Sequence, residues 1–199
     1  MSVGGTTSYD GATGLPNEVL DAVGLARSPG FENSCRLEQG RLLRVLAAGR
    51  DGGIIGETGT GCGVGLSWMV GATSEATRFV SVEIDEVRAL ACQRLFAHHA
   101  NVRIDIGNWV QLLDHGPFDL LVLDGGGAGK TDEPVDVHVA LKIGGMLVVD
   151  DFTPFTVWPP THDGDRDQAR LHWLDHPCLI ATEIRLAPDL STVVAVRVV

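Results

Sequence analysis

No apolar run in the sequence is longer than a strand, so nothing in it reads as a membrane span. The opening stretch, Met1 to Gly14, lacks a basic start and an apolar stretch; it does not read as a secretory signal, and residues 1–16 are expected to form a flexible tail. Cysteine is sparse. Cys35, Cys62, Cys92 and Cys178 lie far apart with no C-x-x-C spacing, which argues against a zinc site and a disulfide framework and fits a reducing cytoplasm. Positive charge is short as well: 15 Lys and Arg face 26 Asp and Glu, and the net charge of −11 repels phosphate backbones. Arg36, Arg41, Arg44 and Arg50 spread over several faces of a helix and are interrupted by Glu38, so they make no basic patch. Neither a nucleic acid nor a membrane is an expected partner, and no internal repeat is present.

What the chain does have is length for one sizeable core. Its 199 residues suit a single domain, residues 17–199, with N-terminal helices over 17–50 and an α/β core over 53–199. Helical spacing covers Glu18 to Ala26 and Leu37 to Ala47. Strands and helices then alternate: Ile54 to Glu57 (strand), Val64 to Gly71 (helix), Phe79 to Glu83 (strand), Asp85 to His98 (helix), Val102 to Ile106 (strand) and Trp109 to Leu113 (helix). Strand Phe118 to Asp124, helix Val135 to Leu141 and strand Met146 to Asp150 continue the pattern. Five near-continuous apolar strands alternating with helices indicate a doubly wound parallel sheet covered on both faces. Three prolines between Thr153 and Asp165 mark a long loop, Gln168 to Leu174 is helical, and Leu179 to Leu186 with Thr192 to Val199 form a terminal hairpin.

The chemistry concentrates in Ile54-Ile55-Gly56-Glu57-Thr58-Gly59-Thr60-Gly61-Cys62-Gly63-Val64-Gly65, which leaves a strand and enters a helix, where glycines let a ligand approach the backbone. The dinucleotide spacing G-x-G-x-x-G fails, because the sixth place falls on Val64 or Leu66. A P-loop fails too, since Gly129-Lys130-Thr131 lies elsewhere without its preceding glycine. What remains is E-x-G-x-G-x-G, with the acid Glu57 facing a ligand that carries positive charge, as a sulfonium with an α-amino group does. Glu83 closes the next strand, where a carboxylate can accept both hydroxyls of a ribose.

These residues resemble the catechol O-methyltransferase-like branch of the class I methyltransferases, including its small bacterial O-methyltransferases. The resemblance runs from about Gly40 to the C-terminus and is carried by Gly56 to Gly63, Val82-Glu83-Ile84-Asp85, Pro117 to Asp124 and Leu141 to Asp151. It implies a Rossmann-like, seven-stranded α/β fold, mostly parallel with a C-terminal antiparallel hairpin. It also implies S-adenosylmethionine as cofactor, a small-molecule acceptor methylated on oxygen, and a homodimer. Glu57, Gly59, Gly61 and Gly63 would surround the methionine part, Glu83 with Ile84 would hold the ribose, Gly107 and Asn108 would lie beside the adenine, and Asp124 would complete the cofactor site. Trp109 is either packed on the adenine or a core residue. By the same resemblance Asp124, Asp150 and Asp151 stand where metal-dependent members hold a divalent cation such as Mg²⁺, which lowers the acceptor hydroxyl's pKa. The other reading makes these acids polar strand ends lining the pocket. The pair ends in Asp instead of Asn, and Gly127 occupies the place of the family's lysine base.

Methyl transfer requires positioning and removal of one proton. Asp124 and Asp150 are the candidate site acids, with Lys130 and His162 as candidate bases. The loop around Trp158, with Phe152 and Phe155 before it, is the candidate for acceptor recognition. His98-His99 and His172-x-x-x-His176 read as ordinary surface or helix-end histidines. A cofactor-binding protein without methyl transfer is the alternative function, and a nicotinamide-dependent oxidoreductase is disfavoured by the broken fingerprint.

Overall fold

The computed structural model describes residues 4–126, 128–131 and 133–199. Helices α1 (Asn17–Arg27) and α2 (Leu37–Ala48) precede the sheet. The chain then alternates through β1 (Ile54–Thr58), α3 (Val64–Val70), β2 (Arg78–Glu83), α4 (Glu86–Leu95) and β3 (Val102–Ile106). A 3₁₀ segment (Trp109–His115), β4 (Phe118–Leu123), α5 (Val137–Ala140), β5 (Leu141–Phe152), α6 (Gln168–Leu174), β6 (Leu179–Ala187) and β7 (Leu190–Arg197) complete it. The sheet order is β3-β2-β1-β4-β5-β7-β6. Five strands are parallel, and β7 enters antiparallel between β5 and β6.

Alternate residues of each strand feed two cores. Leu120, Val122 and Val148 point into the one built with α1, α2, α3 and α4, through Val19, Leu43, Trp68, Met69 and Cys92. Leu121, Leu123, Leu147 and Val149 point into the other, with Leu112, Val137 and Trp173. Burial on both faces explains why the strands lack polar alternation. Among the described residues no helix is long and apolar enough to cross a membrane.

Several boundaries differ from expectation. The helix expected over Val135 to Leu141 is four residues long, because Leu141 already pairs with Phe118 and begins β5. That twelve-residue strand runs through Gly145, where a Cβ would lie 2.8 Å from the Phe118 carbonyl oxygen, so only glycine admits the approach. α4 stops at Leu95, three residues before His98, and the chain turns through His99 to enter β3. The terminal hairpin turns on Pro188 and Asp189 alone, with Asp189 paired at 3.0 Å to Arg36, the residue that precedes α2.

The expected flexible tail is docked from residue 4 onward. Tyr9 is 4% exposed; its hydroxyl donates to the Cys35 carbonyl at 2.9 Å and accepts from Trp68 Nε1 at 2.9 Å. Thr6 hydrogen-bonds the Phe31 carbonyl and Ser34, so the segment holds down the link between α1 and α2. Its small polar composition hides one buried aromatic anchor.

Candidate active site

The carboxyl ends of β1, β2 and β4 open into a cleft of about 330 Å³. Its floor is the turn after β1. Gly59 takes φ +80° and donates its N–H to the Val82 carbonyl at 2.8 Å, and a Cβ there would lie 2.5 Å from the Gly125 Cα. The turn and the loop after β4 therefore touch backbone to backbone, which explains glycine on both sides. Gly61 takes φ +56° and donates to Glu83 Oε2 at 2.7 Å, tying the turn to the end of β2. Glu83 Oε1 accepts from Asp85 N at 2.9 Å and from Arg88 at 3.0 Å.

Of the residues expected at the cofactor, Gly59, Gly61, Glu83, Ile84, Gly107, Asn108 and Asp124 line this one cleft. Asn108 caps the 3₁₀ segment by accepting from Val110 N at 3.2 Å. Trp109, left open between adenine contact and core, lines the cleft as well.

Two expected residues sit behind the wall. Gly63 takes φ +81°, and a Cβ there would lie 2.9 Å from the Phe96 ring, so its need for glycine comes from packing α3 against α4 and not from the cleft. Glu57 is 2% exposed, accepts from the Ser81 hydroxyl at 2.7 Å, and stands where a Cβ on Gly65 would lie 2.8 Å from its Oε1. Burial first, and the charge of Glu83 after it, push the Glu57 carboxyl up to about 8.

Beyond the glycine turn lies the acidic group. One carboxylate oxygen each from Asp124, Asp150 and Asp151 falls within 4.8 Å of the others. Burial, then the charges of Asp150 and Asp151, hold Asp124 well above the usual carboxylate range, and burial with Asp151 raises Asp150 to about 7. Asp150 Oδ1 is buried with no hydrogen-bond partner among the described residues. Asp151 adopts φ +68°, a left-handed conformation that costs a non-glycine residue about 1–2 kcal/mol. Strain of this kind collects at functional sites.

Lys130 joins the group. It is 4% exposed, with Nζ 3.2 Å from the Asp150 carbonyl oxygen and 3.9 Å from Asp151 Oδ2, and its own carbonyl is pinned by Trp173 Nε1 at 2.9 Å. The fold thus brings to the acids a lysine six positions after Asp124, while Gly127 lies outside the described residues. His162 is apart from the cleft lining, exposed on a two-residue ladder beside Asp163.

In the loop after β5, Phe155 and Trp158 meet edge to face at 5.9 Å between centroids. Buried Arg170 supports them: it lies over Phe152 and Phe155, pairs with Asp167 and Glu183 at 2.9 Å each, and donates to the Thr153 carbonyl. Cleft residues that local pattern did not reveal are Phe31 and Asn33, from the irregular link between α1 and α2, together with Thr58 and Arg88. The signal for Arg88 was its place one turn into the helix that follows Glu83.

Solved structures share this architecture over nearly their whole length. A methyltransferase from Geobacter sulfurreducens superimposes with a TM-score of 0.74 at 16% identity, covering 97% of this chain and 94% of its own. This is the class I methyltransferase fold. TomG, an O-methyltransferase from Streptomyces achromogenes involved in tomaymycin synthesis and solved with SAM, matches at 0.73 and 20% identity, over 98% of this chain and 96% of its own. An O-methyltransferase from Bacillus cereus in complex with SAH matches at 0.72 and 17%, over 97% and 96%. The sequence matches no protein-family model and no curated protein. Within the methyltransferase fold, the cleft lies at the carboxyl ends of the strands, beside the first strand where the sheet order reverses, the position at which open α/β sheets bind ligands.

Proposed function

We propose that the chain is an S-adenosylmethionine-dependent methyltransferase acting on a hydroxyl of a small molecule. The observation that carries this reading is the continuity of the site: the glycine turn, Glu83, Asn108 and Asp124 line one cleft, and Asp124 also belongs to the acid group with Lys130. The cofactor supplies an activated methyl on a sulfonium. Toward it, Gly59 and Gly61 let the backbone approach, Glu83 accepts from a ribose hydroxyl, Asn108 and Trp109 flank the adenine, and Asp124 faces the amino-acid end.

The donor set also fits a divalent cation. Three carboxylates converge and Asp150 Oδ1 has no hydrogen-bond partner among the described residues, which suits a hard ion with oxygen ligands. Asp124, Asp150 and Asp151 would hold it, and it would orient the acceptor hydroxyl and ease its ionisation. Lys130 would receive that proton as the neutral amine, having first given up its own; its Nζ lies 3.9 Å from Asp151 Oδ2. Phe155 and Trp158 offer rigid apolar surface to an aromatic acceptor.

The decisive measurement is calorimetric titration with S-adenosylmethionine and S-adenosylhomocysteine, followed by turnover assays on catechols and related phenols with Mg²⁺ or with EDTA. Glu83→Ala should weaken cofactor binding by roughly 1–3 kcal/mol, as expected for a desolvated polar contact left unpaired; unchanged affinity would remove the ribose assignment. Binding without turnover would favour a cofactor-binding protein, and tight NADH binding with none of S-adenosylmethionine would favour an oxidoreductase. The same reading includes a homodimer in a reducing cytoplasm, with all four cysteines free. Leu20 of α1 and Val45 of α2, 50% and 69% exposed, make the N-terminal helices the natural contact, and sedimentation of Val45→Asp tests it.

A further inference from the structure

Arg88 has no part in the chemistry above, yet it is built into the cleft wall. It stands in the first turn of α4, five residues after Glu83. One guanidinium nitrogen donates to Glu83 Oε1 at 3.0 Å, and another lies 3.3 Å from Asp85 Oδ2. The guanidinium also sits 5.3 Å from the centre of the Phe31 ring. Its Nε is buried without a hydrogen-bond acceptor among the described residues. Phe31 in turn covers the glycine turn, since a Cβ on Gly61 would lie 3.3 Å from that ring. Phe31, Arg88, Glu83 and Gly61 thus close a loop of contacts around one wall.

Glu83 is 4% exposed, and a buried carboxylate is expensive without a counter-charge. Two backbone N–H groups aim it, and Arg88 supplies the positive charge, its planar fork bridging Glu83 Oε1 and Asp85 Oδ2. Oε1 accepts two bonds and Oε2 one, so the carboxylate retains acceptor capacity for a ribose hydroxyl at Oε2. We infer that Arg88 is a positioning residue for cofactor binding: it orients Glu83 and pins the Phe31 segment over the glycine turn, so affinity depends on it without a contact of its own. The inference rests on the reading of this cleft as the S-adenosylmethionine site.

Calorimetric titration with S-adenosylhomocysteine on wild type, Arg88→Met, Glu83→Gln and the double variant tests it. Arg88→Met should bind at least tenfold more weakly while its thermal midpoint stays within a few degrees of wild type. Arg88→Lys, which keeps the charge but not the fork, should recover part of the loss. The double variant should be weaker than Glu83→Gln by clearly less than the factor Arg88→Met costs in the wild type, because the orienting of Glu83 is lost in both single variants and only the Phe31 contact remains to be lost. Wild-type affinity in Arg88→Met, or losses that multiply in the double variant, would overturn the inference. Should Arg88→Met not fold, Arg88→Lys and Phe31→Leu carry the same test; each should bind several-fold more weakly, and unchanged affinity in both overturns it. A wild type that does not bind S-adenosylhomocysteine overturns the site reading itself, which distinguishes the two failures.

Discussion

Replacing Glu57 with glutamine should make the protein more stable at pH 8. Burial and the neighbouring Glu83 move this carboxyl from its ordinary 4.5 to about 8. The folded state therefore holds the proton more tightly than the unfolded chain does, and the group's contribution is fully present below about pH 4.5 and lost as pH rises toward 8. At about 1.36 kcal/mol per pH unit, the loss between pH 5 and pH 8 is about 3 kcal/mol. Glutamine does not titrate. It keeps an acceptor for the Ser81 hydroxyl, now 2.7 Å from Glu57, but brings an amide N–H that costs roughly 1–2 kcal/mol if it finds no partner. The variant should thus fall slightly below wild type at pH 5 and stand about 2 kcal/mol above it at pH 8. Urea midpoints of both proteins across this range are the assay. Asp124 and Asp150 also titrate high, but they are common to both chains and largely cancel in the difference. Parallel midpoint curves would refute the reasoning, because they would mean that Glu57 ionises in the folded state as easily as in the unfolded one.

Three further outcomes are expected. Tyr9→Phe removes the hydroxyl shared by Trp68 and the Cys35 carbonyl, and should cost about 1–3 kcal/mol in urea unfolding, with faster proteolysis near the N-terminus. A tail that contributes nothing would show no change. Gly59→Ala places a methyl 2.5 Å from the Gly125 Cα on a left-handed backbone, so it should lower stability by about 1–3 kcal/mol or more and abolish cofactor binding. Full binding in that variant would mean the turn has room that the fold denies. Trp109 lines the cleft, so S-adenosylhomocysteine should change tryptophan fluorescence in wild type and far less in Trp109→Phe.

The order of elements was legible because the physics behind it is local. Apolar runs with their punctuation locate the strands, and β3 and α6 fall where periodicity puts them. The glycine turn was equally plain, since its left-handed residues can be read from residue type alone. By itself the sequence therefore determined an alternating α/β chain, a terminal hairpin, and a ligand-approach turn followed by an acid. What only the tertiary structure decided were the encounters between distant segments. It turned Gly63 toward Phe96, drew Phe31 and Asn33 over the cleft, sealed the N-terminal segment with Tyr9, and delivered Lys130 to Asp150 and Asp151 from an off-register position. Spacing along a loop says little about where its side chains arrive, because each arrival is set by the packing of elements that are far apart in sequence.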